Sequence, residues 1–325
     1  MIRKTLLLCL LLTLTAVVCS ARAADSFAIG VMNDQTGPYA DTAGPGSVEM
    51  ARMTIDDFGG SVLGKPIELL VADHQNKVDV GLAIARRWYD ERGARAIFDI
   101  TNSGVALAIQ DLAKSRNRLV IFDSASSSDL TGKACSPNGI QWNADNWSNG
   151  VALMRLLIRD KLSSFFFITA DYAFGASLEA DARDAIAKAG GTVVGVRSPL
   201  NTADFSSYLV EAQGSGAKVV VFAITGADLS NALKQANEFK LAPAQYLATP
   251  ITYLSDVTRS GSMSHMTSPS CSPGTGTSTT ARAISPNGFS PGASACPTTT
   301  RSRSIRPCAT ISRRSRRPER TKPAL

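Results

Sequence analysis

The feature that most constrains the fold of this chain is a regular alternation of strand-like and helix-like segments between residues 25 and 255. Short apolar runs closed by polar or turn residues predict buried strands. In the first half these are Phe27–Asn33, Ile67–Ala72, Ala96–Ile100 and Leu119–Asp123. Apolar residues at helical spacing predict helices between them, over Ser47–Phe58, Lys77–Arg92 and Val105–Lys114.

The same alternation restarts near residue 146. Helices are predicted over Trp147–Asp160, Phe174–Ala189, Phe205–Ser215 and Asp228–Phe239. Strands are predicted over Ser164–Thr169, Thr192–Val196, Lys218–Ile224 and Tyr246–Thr249. Alternation at this spacing is typical of parallel sheets with helices on both faces. The chain is therefore predicted to be an α/β protein with two doubly wound lobes.

The first 23 residues have the pattern of an export signal. Basic residues at positions 3 and 4 precede an apolar run over residues 6–18, and Ala21-Arg22-Ala23 supplies the small-x-small pattern of a cleavage site. The run is shorter than the ~20 residues that a membrane-spanning helix needs. We expect cleavage after Ala23 and a periplasmic mature protein.

The net charge of +7 comes from the end of the chain. Residues 256–325 hold ten Arg and one Lys against Asp256 and Glu319, a net charge of +9, so the rest of the chain carries −2. Loss of the three basic residues of the signal lowers this to −5. An acidic folded part offers no basic surface to phosphate groups, so we expect no nucleic-acid partner.

Metal and disulfide chemistry have little support in the sequence. His74 and His265 are the only histidines, and no cluster has metal-ligand spacing, so we expect neither a metal nor a cofactor. Only Cys135 lies in the regular part of the chain, and no partner for it is evident there. The sequence therefore indicates no disulfide framework.

Hydroxyl-rich loops follow several of the predicted strands, over residues 33–39, 101–104, 124–128 and 169–175. In open parallel sheets a ligand binds beyond the carboxyl ends of the strands, where these loops lie. Ser and Thr hydroxyls, with free N–H groups at helix starts, bind an anion without a buried countercharge. The same residue types also cap helices and form turns, so either ligand binding or such a structural role can explain any one of these residues.

Longer motifs make the prediction specific. The stretch IGVMNDQTGPYADTAGPGSVEMARMTIDDFGG, followed later by SSSDLTGKACSPNGIQW and FFFITADYAFGASLEADA, resembles the leucine/isoleucine/valine-binding family of branched-chain amino acid ABC transporters. The resemblance extends from Phe27 to about Val257. It implies a type I periplasmic-binding-protein fold, in which two Rossmann-like lobes joined by a hinge close on a small ligand like a Venus flytrap. One hinge crossing is expected near residues 143–146.

The resemblance also implies a set of ligand contacts. They are Tyr39, Ser103, Ala125, Ser126, Ser127, Tyr172, Phe174, Thr225, Asp228 and Asp256. In this interpretation the residues at 125–127 meet the ligand carboxylate, and Asp256 takes the place of an acid for the ammonium group of an amino acid. The motifs DYAFG and GKACSPN also resemble members that take up aromatic or other small carboxylates, so both ligand classes stay open.

The function implied is binding without catalysis. The chain has no Walker-type phosphate loop and no His beside a candidate nucleophile, so we expect no enzyme activity. The resemblance implies a monomeric periplasmic component of an ABC importer, which delivers its ligand to a permease in the inner membrane. A ligand-sensing receptor of the same fold and a non-functional truncated product are the alternatives.

Four segments are predicted: a signal peptide at 1–23, a first lobe at 24–144, a second, incomplete lobe at 145–257 and an aberrant tail at 258–325. Ser, Thr and Pro make up 33 of the 70 residues from 256 on, and no helix or strand period continues there. Three interpretations compete: a disordered basic segment for nucleic acid or anionic lipid, a linker, or family sequence translated out of frame.

The out-of-frame interpretation can be tested on paper. Residues 296–320 read CPTTTRSRSIRPCATISRRSRRPER, and permitted codons read one base earlier can spell MPNDNQVAVYSAVRHYLKAVEAAGT. The recovered string is amphipathic and resembles the carboxy-terminal region of the family. We therefore expect a frameshift, an unfinished first lobe and hinge, low stability, and weak or absent ligand binding.

Overall fold

The computed structural model describes residues 26–199, 202–253, 255–256 and 266–267. The predicted signal peptide at 1–23, and the predicted tail apart from two residues, lie outside these ranges. So do His265 and every cysteine except Cys135. The described part is an α/β structure built on two sheets.

The first lobe contains a six-stranded sheet with the strand order β2-β3-β1-β4-β5-β6. Its strands are β1 (Phe27–Asn33), β2 (Ser61–Val62), β3 (Lys65–Asp73), β4 (Ala96–Phe98), β5 (Leu119–Phe122) and β6 (Gly139–Gln141). Neighbouring strands pair in parallel, except that β2 is antiparallel to β3. The helices of this lobe are α1 (Gly44–Asp57), α2 (Val78–Asp90) and α3 (Ser103–Arg116).

The second lobe contains a five-stranded parallel sheet with the order β11-β10-β9-β7-β8. Its strands are β7 (Ser164–Thr169), β8 (Thr192–Arg197), β9 (Val219–Ala223), β10 (Tyr246–Ala248) and β11 (Met266–Thr267). The helices are α4 (Asn146–Arg159), α5 (Ala173–Lys188), α6 (Ser206–Gly214) and α7 (Gly226–Glu238). All five residues of β9 are buried, as expected for a central strand with helices on both faces. The predicted lobe boundary at residues 144 and 145 lies between β6 and α4 and stays a prediction.

Every strand and helix predicted between residues 27 and 249 is present, with small shifts at the ends. Helix α3 begins before the predicted Val105 because the Asn102 side chain accepts hydrogen bonds from the amides of Gly104 (2.9 Å) and Val105 (3.1 Å). The short strands β2, β6 and β11 were not predicted, because two or three residues cannot display a period. Strand β11 lies in the segment predicted to be an aberrant tail.

The two faces of the first-lobe sheet pack differently against the helices. Side chains alternate between faces along a strand. One set, which includes Ala28, Met32, Leu70 and Ile97, packs into a buried core with α2 and α3. The other set faces α1 across a groove of 580 Å³, which we call the α1 groove. Its apolar lining includes Ile29, Val31, Leu69, Phe98, Met50 and Ile55.

Two further observations concern the described chain. Cys135 is disulfide-bonded, a pairing that the sequence did not indicate. Sequence spacing alone does not identify which cysteines pair. A search of the described residues finds no helix with the length and apolar character of a membrane span.

Candidate functional site

The loop after β1 is organised by one buried carboxylate. Asp34 is fully buried and accepts hydrogen bonds from the amides of Gly37 (2.9 Å) and Tyr39 (2.9 Å). A short acidic side chain commonly fixes a turn in this way. The loop consequently holds the Tyr39 ring at the carboxyl edge of the first sheet, where it faces the second lobe.

The loop after β5 is held in a similar way by its own hydroxyls. Ser124 donates to Asp99 Oδ1 (2.5 Å), and Ser126 donates to the Ser124 carbonyl (3.2 Å). Ser127 caps the short turn that follows, because its hydroxyl accepts from the Asp129 amide (3.4 Å). The serines of this loop therefore stabilise the loop itself. This structural role is the alternative to ligand binding that the sequence left open.

A cavity of 100 Å³ lies between the two lobes. Both lobes contribute hydroxyls and aromatic rings to its wall. The lining residues are Tyr39, Thr42, Thr101, Asp123, Ser124, Ser126, Tyr172, Phe174, Thr225 and Tyr253. The cavity thus combines hydrogen-bonding groups with aromatic surface, as sites for small molecules commonly do.

Two tyrosines close this cavity from opposite lobes. The hydroxyls of Tyr39 and Tyr172 lie 2.7 Å apart, and their ring centroids are 6.5 Å apart. The Phe174 ring stacks beside Tyr172 at 5.9 Å. Burial raises the pKa of Tyr39 to about 12 and raises the pKa of Tyr172 as well. Both phenols are therefore neutral at neutral pH and can share a hydrogen bond.

Other hydrogen bonds also cross the cleft. The Ala227 amide, at the start of α7, donates to the Pro38 carbonyl (3.1 Å). At the other side of the cleft the Ser128 hydroxyl lies 2.9 Å from the Ser177 hydroxyl and donates to Asp181 Oδ2 (2.6 Å). The described structure is therefore a closed arrangement of the lobes, with contacts on both sides of the cavity.

The charge around the cavity is acidic. No Lys, Arg or His of the described residues lines it. Burial and the nearby Asp99 raise the pKa of Asp123 to about 6. An adjoining cavity of 420 Å³, on the outer side of the two tyrosines, contains Asp34, Asp171 and Asp228 in its wall. Within the described ranges no group of three or more His, Cys, Asp or Glu could hold a metal ion.

The structure brings together half of the residues predicted to contact a ligand. Tyr39, Ser126, Tyr172, Phe174 and Thr225 line the cavity between the lobes. Asp228 lines the adjoining cavity. The other four, Ser103, Ala125, Ser127 and Asp256, are buried and line neither. All ten assignments stay predictions, because no ligand contact has been tested.

The geometry of Asp256 differs from the role that the resemblance implied for it. Its Oδ2 accepts a hydrogen bond from the Tyr253 amide (2.9 Å), and the residue is 2% exposed. Burial raises the pKa of this carboxyl group. Asp256 therefore fixes a local turn that places Tyr253 at the cavity, and Asp123 is the acid that lines the cavity itself.

Five lining residues were not predicted individually: Thr42, Thr101, Asp123, Ser124 and Tyr253. Thr101 and Ser124 belong to loops that were predicted to face a ligand. Their position in the chain could have identified them. Each follows a strand by two or three residues, before the backbone turns into the next helix. Tyr253 lies beyond the last predicted strand, and no pattern in the sequence points to it.

The chain belongs to the periplasmic binding protein family, since the family's sequence profile matches residues 26–284. It is similar to Leu/Ile/Val-binding protein homolog 6 of Brucella abortus, with 24% identity over an alignment of 243 positions that covers 71% of this chain and 62% of the relative. The chain therefore spans less than two thirds of the length of this relative. The family predicted from the sequence motifs is confirmed.

Solved structures show the same fold. A branched-chain amino acid ABC transporter periplasmic ligand-binding protein from Burkholderia xenovorans is 37% identical with a TM-score of 0.60, over 73% of this chain and 64% of that one. A solute-binding protein of an ABC transporter from R. palustris, in complex with benzoate, is 20% identical with a TM-score of 0.64, over 69% and 62% of the two chains. The predicted α/β fold of two lobes is confirmed.

Proposed function

We propose that this protein is the periplasmic solute-binding component of an ABC importer, and that it binds a small carboxylate by closure of its two lobes. The observation that carries the proposal is the cavity between the lobes, whose wall is shared by both and closed by the Tyr39–Tyr172 hydroxyl pair. The relatives support it, since one is named for leucine, isoleucine and valine and a similar structure holds benzoate.

The chemistry of the cavity suits a ligand with one polar and one apolar end. Of the hydroxyls that the first-lobe loops bring to the cavity, that of Thr101 can donate to a carboxylate, because Ser124 and Ser126 already donate their protons within the protein. The rings of Tyr172 and Phe174 from the second lobe offer a flat apolar surface. A branched aliphatic side chain and a benzene ring both fit this description.

In the proposed function, closure of the lobes couples ligand binding to transport. A ligand that touches both lobes binds the closed form better than the open form, and so shifts the population toward closure. The closed form then docks on an inner-membrane permease, and the protein acts as a monomer exported by a cleaved signal at residues 1–23. Binding alone accounts for this role, so no catalytic activity is proposed.

The proposal predicts direct ligand binding. Isothermal titration calorimetry with leucine, isoleucine, valine, benzoate and 4-hydroxybenzoate should use the mature chain as given and the same chain with its frame shifted by one base after residue 257. The shifted-frame chain is expected to bind at least one of them with a Kd of about 1 μM or tighter, and the given chain more weakly or not at all. No heat of binding from any of the five to either chain at millimolar concentration would contradict the proposal.

A matched pair of variants tests whether the cavity is the site. Tyr172→Ala removes the ring that closes the cavity, and affinity is expected to fall by at least about tenfold, since a well-packed aromatic contact contributes ~1–3 kcal/mol. Tyr246→Ala removes an exposed ring of the second lobe and is the control. Equal affinities of the two variants would place the site elsewhere.

A further inference from the structure

His74 follows β3 and is fully buried beneath the ligand cavity. Its Nδ1 accepts a hydrogen bond from the Asn76 amide (3.0 Å), so Nδ1 carries no proton. The proton of the neutral ring is therefore on Nε2. Burial lowers the pKa of His74 to about 4, even though Asp34 and Asp73 nearby act in the opposite direction. The ring is consequently neutral at neutral pH and has one fixed tautomer.

The neutral ring determines how the Thr101 hydroxyl is used. His74 Nε2 lies 3.0 Å from Thr101 Oγ1 and donates its proton to it. The Asp34 amide donates to the same oxygen (3.0 Å). A hydroxyl oxygen has two acceptor sites and one proton. Both acceptor sites of Thr101 are therefore occupied by protein donors, and only its O–H remains to make a hydrogen bond of its own.

We propose that Thr101 is a ligand-contact residue whose hydroxyl is held as a donor toward the cavity, and that His74 is its positioning residue. Thr101 lines the cavity between the lobes, so a ligand bound there lies against this residue. The inference rests on the proposed function, because it assigns the group that meets the ligand carboxylate.

This arrangement selects the kind of ligand atom that can lie beside Thr101. An oxygen of a carboxylate accepts the O–H, whereas an ammonium group can only donate and would leave the hydroxyl proton unpaired. No cation of the described residues lines the cavity, so the fixed hydroxyl donor of Thr101 takes the place of a countercharge. The carboxylate of either ligand class, aliphatic or aromatic, meets this requirement at the Thr101 end of the cavity.

The test compares Thr101→Val with Thr101→Ser in the mature chain whose frame is shifted by one base after residue 257, using two ligand pairs. Leucine is paired with leucinol and benzoate with benzyl alcohol, since each alcohol has a CH₂OH group in place of the carboxylate. Thr101→Val is expected to weaken binding of the carboxylate by about 10- to 100-fold, and binding of the alcohol by much less. Thr101→Ser keeps the hydroxyl and is expected to stay within about threefold of wild type.

The outcomes separate the inference from the proposed function. If the unsubstituted shifted-frame chain binds none of the four compounds, the proposed function fails and the inference fails with it. If that chain binds a carboxylate and its Thr101→Val variant binds it equally well, the proposed function stands and the inference is wrong. Equal weakening of carboxylate and alcohol would also overturn the inference, because Thr101 would then act by packing. Thr54→Val, at an exposed helical position, is the matched control.

His74→Gln tests the positioning role without altering the cavity wall. The preference for carboxylate over alcohol is expected to shrink by about tenfold, and an unchanged preference would refute the role of His74. Nitrogen NMR of the wild-type imidazole gives a readout that does not depend on any variant folding. His265 is the only other histidine, so His265→Gln assigns the signals. A ring protonated on Nδ1 at neutral pH would overturn the assignment.

The burial of neutral His74 should also affect how the stability of the protein depends on pH. The pKa of His74 is about 4 in the folded chain and about 6.5 in the unfolded chain, so between these values the unfolded chain binds a proton that the folded chain does not. Stability is therefore expected to fall as pH falls from about 6.5 toward 4. The melting temperature of His74→Gln should fall less steeply over this window, and parallel curves would contradict a buried neutral His74.

Discussion

Gly226→Ala is expected to hold the cleft open and to weaken ligand binding by at least about tenfold. Gly226 begins α7 with a φ of +66°, and the next amide, of Ala227, donates to the Pro38 carbonyl of the opposite lobe. A Cβ at position 226 would lie 2.6 Å from the Pro38 carbonyl oxygen and 2.9 Å from Tyr39 Cδ1. These distances are too short for closure, so the lobes would have to separate.

The chain contains a closely matched control for this substitution. Gly216 has the same φ of +66°, and a Cβ there would meet nothing within 4 Å. Alanine at either position adopts the left-handed region at a cost of about 1 kcal/mol. The two variants should therefore lose similar stability, and only Gly226→Ala should lose affinity and give a larger radius of gyration by small-angle X-ray scattering with ligand present. Identical affinities would show that this contact does not limit closure.

A second large effect is expected from the reading frame after residue 257. The apolar α1 groove is open in the described structure, and Met50 and Phe58 of the α1 segment are 61% and 64% exposed. Open apolar surface of this kind lowers stability relative to a covered face. A variant whose frame is shifted by one base from there on should melt at least about 5 °C higher, because 1 kcal/mol corresponds to ~2–4 °C at this size.

Two further comparisons of melting temperature test this expectation. A Cys135→Ser chain that ends after residue 267 should melt within about 2 °C of the full-length Cys135→Ser chain if the remaining residues contribute no packing; the substitution is needed because truncation alone would also remove the disulfide of Cys135. Equal melting temperatures and equal ligand affinities for the original and shifted frames would refute the frameshift hypothesis. Resequencing the gene around codons 255–260 is the direct measurement, and an unbroken frame there would restore the disordered-segment and linker interpretations of the tail.

Sequence patterns predicted the sheets and helices well because those elements bury regular apolar faces. Strands β1 and β7 begin and end at the predicted residues, since each is an apolar run closed by polar residues. Helix starts were less well predicted. The side chain of Asn102 and the proline in the first turn of α1 both extend a helix beyond its apolar repeat.

The sequence indicated the loops of the candidate site better than it indicated the individual residues that line the cavity. The loop after β4 was predicted to face a ligand, and within it Ser103 was chosen where Thr101 lines the cavity. Ser103 lies on the first turn of α3, which directs its hydroxyl into the protein. The orientation of such a side chain depends on where the backbone turns into the helix. Hydrogen bonds from distant residues, such as that of His74 to Thr101, leave no local pattern.

The pairing of Tyr39 with Tyr172 also has a consequence for the conditions under which the lobes can meet. The bonds that cross the cleft there join two neutral phenols and two backbone groups, and among the described residues no ion pair joins the lobes at that edge. At about 0.1–0.15 M salt, exposed charges that lie more than about 8–10 Å apart are largely screened from each other, whereas neutral hydrogen bonds are not weakened in this way. Closure at this edge should thus be nearly indifferent to ionic strength.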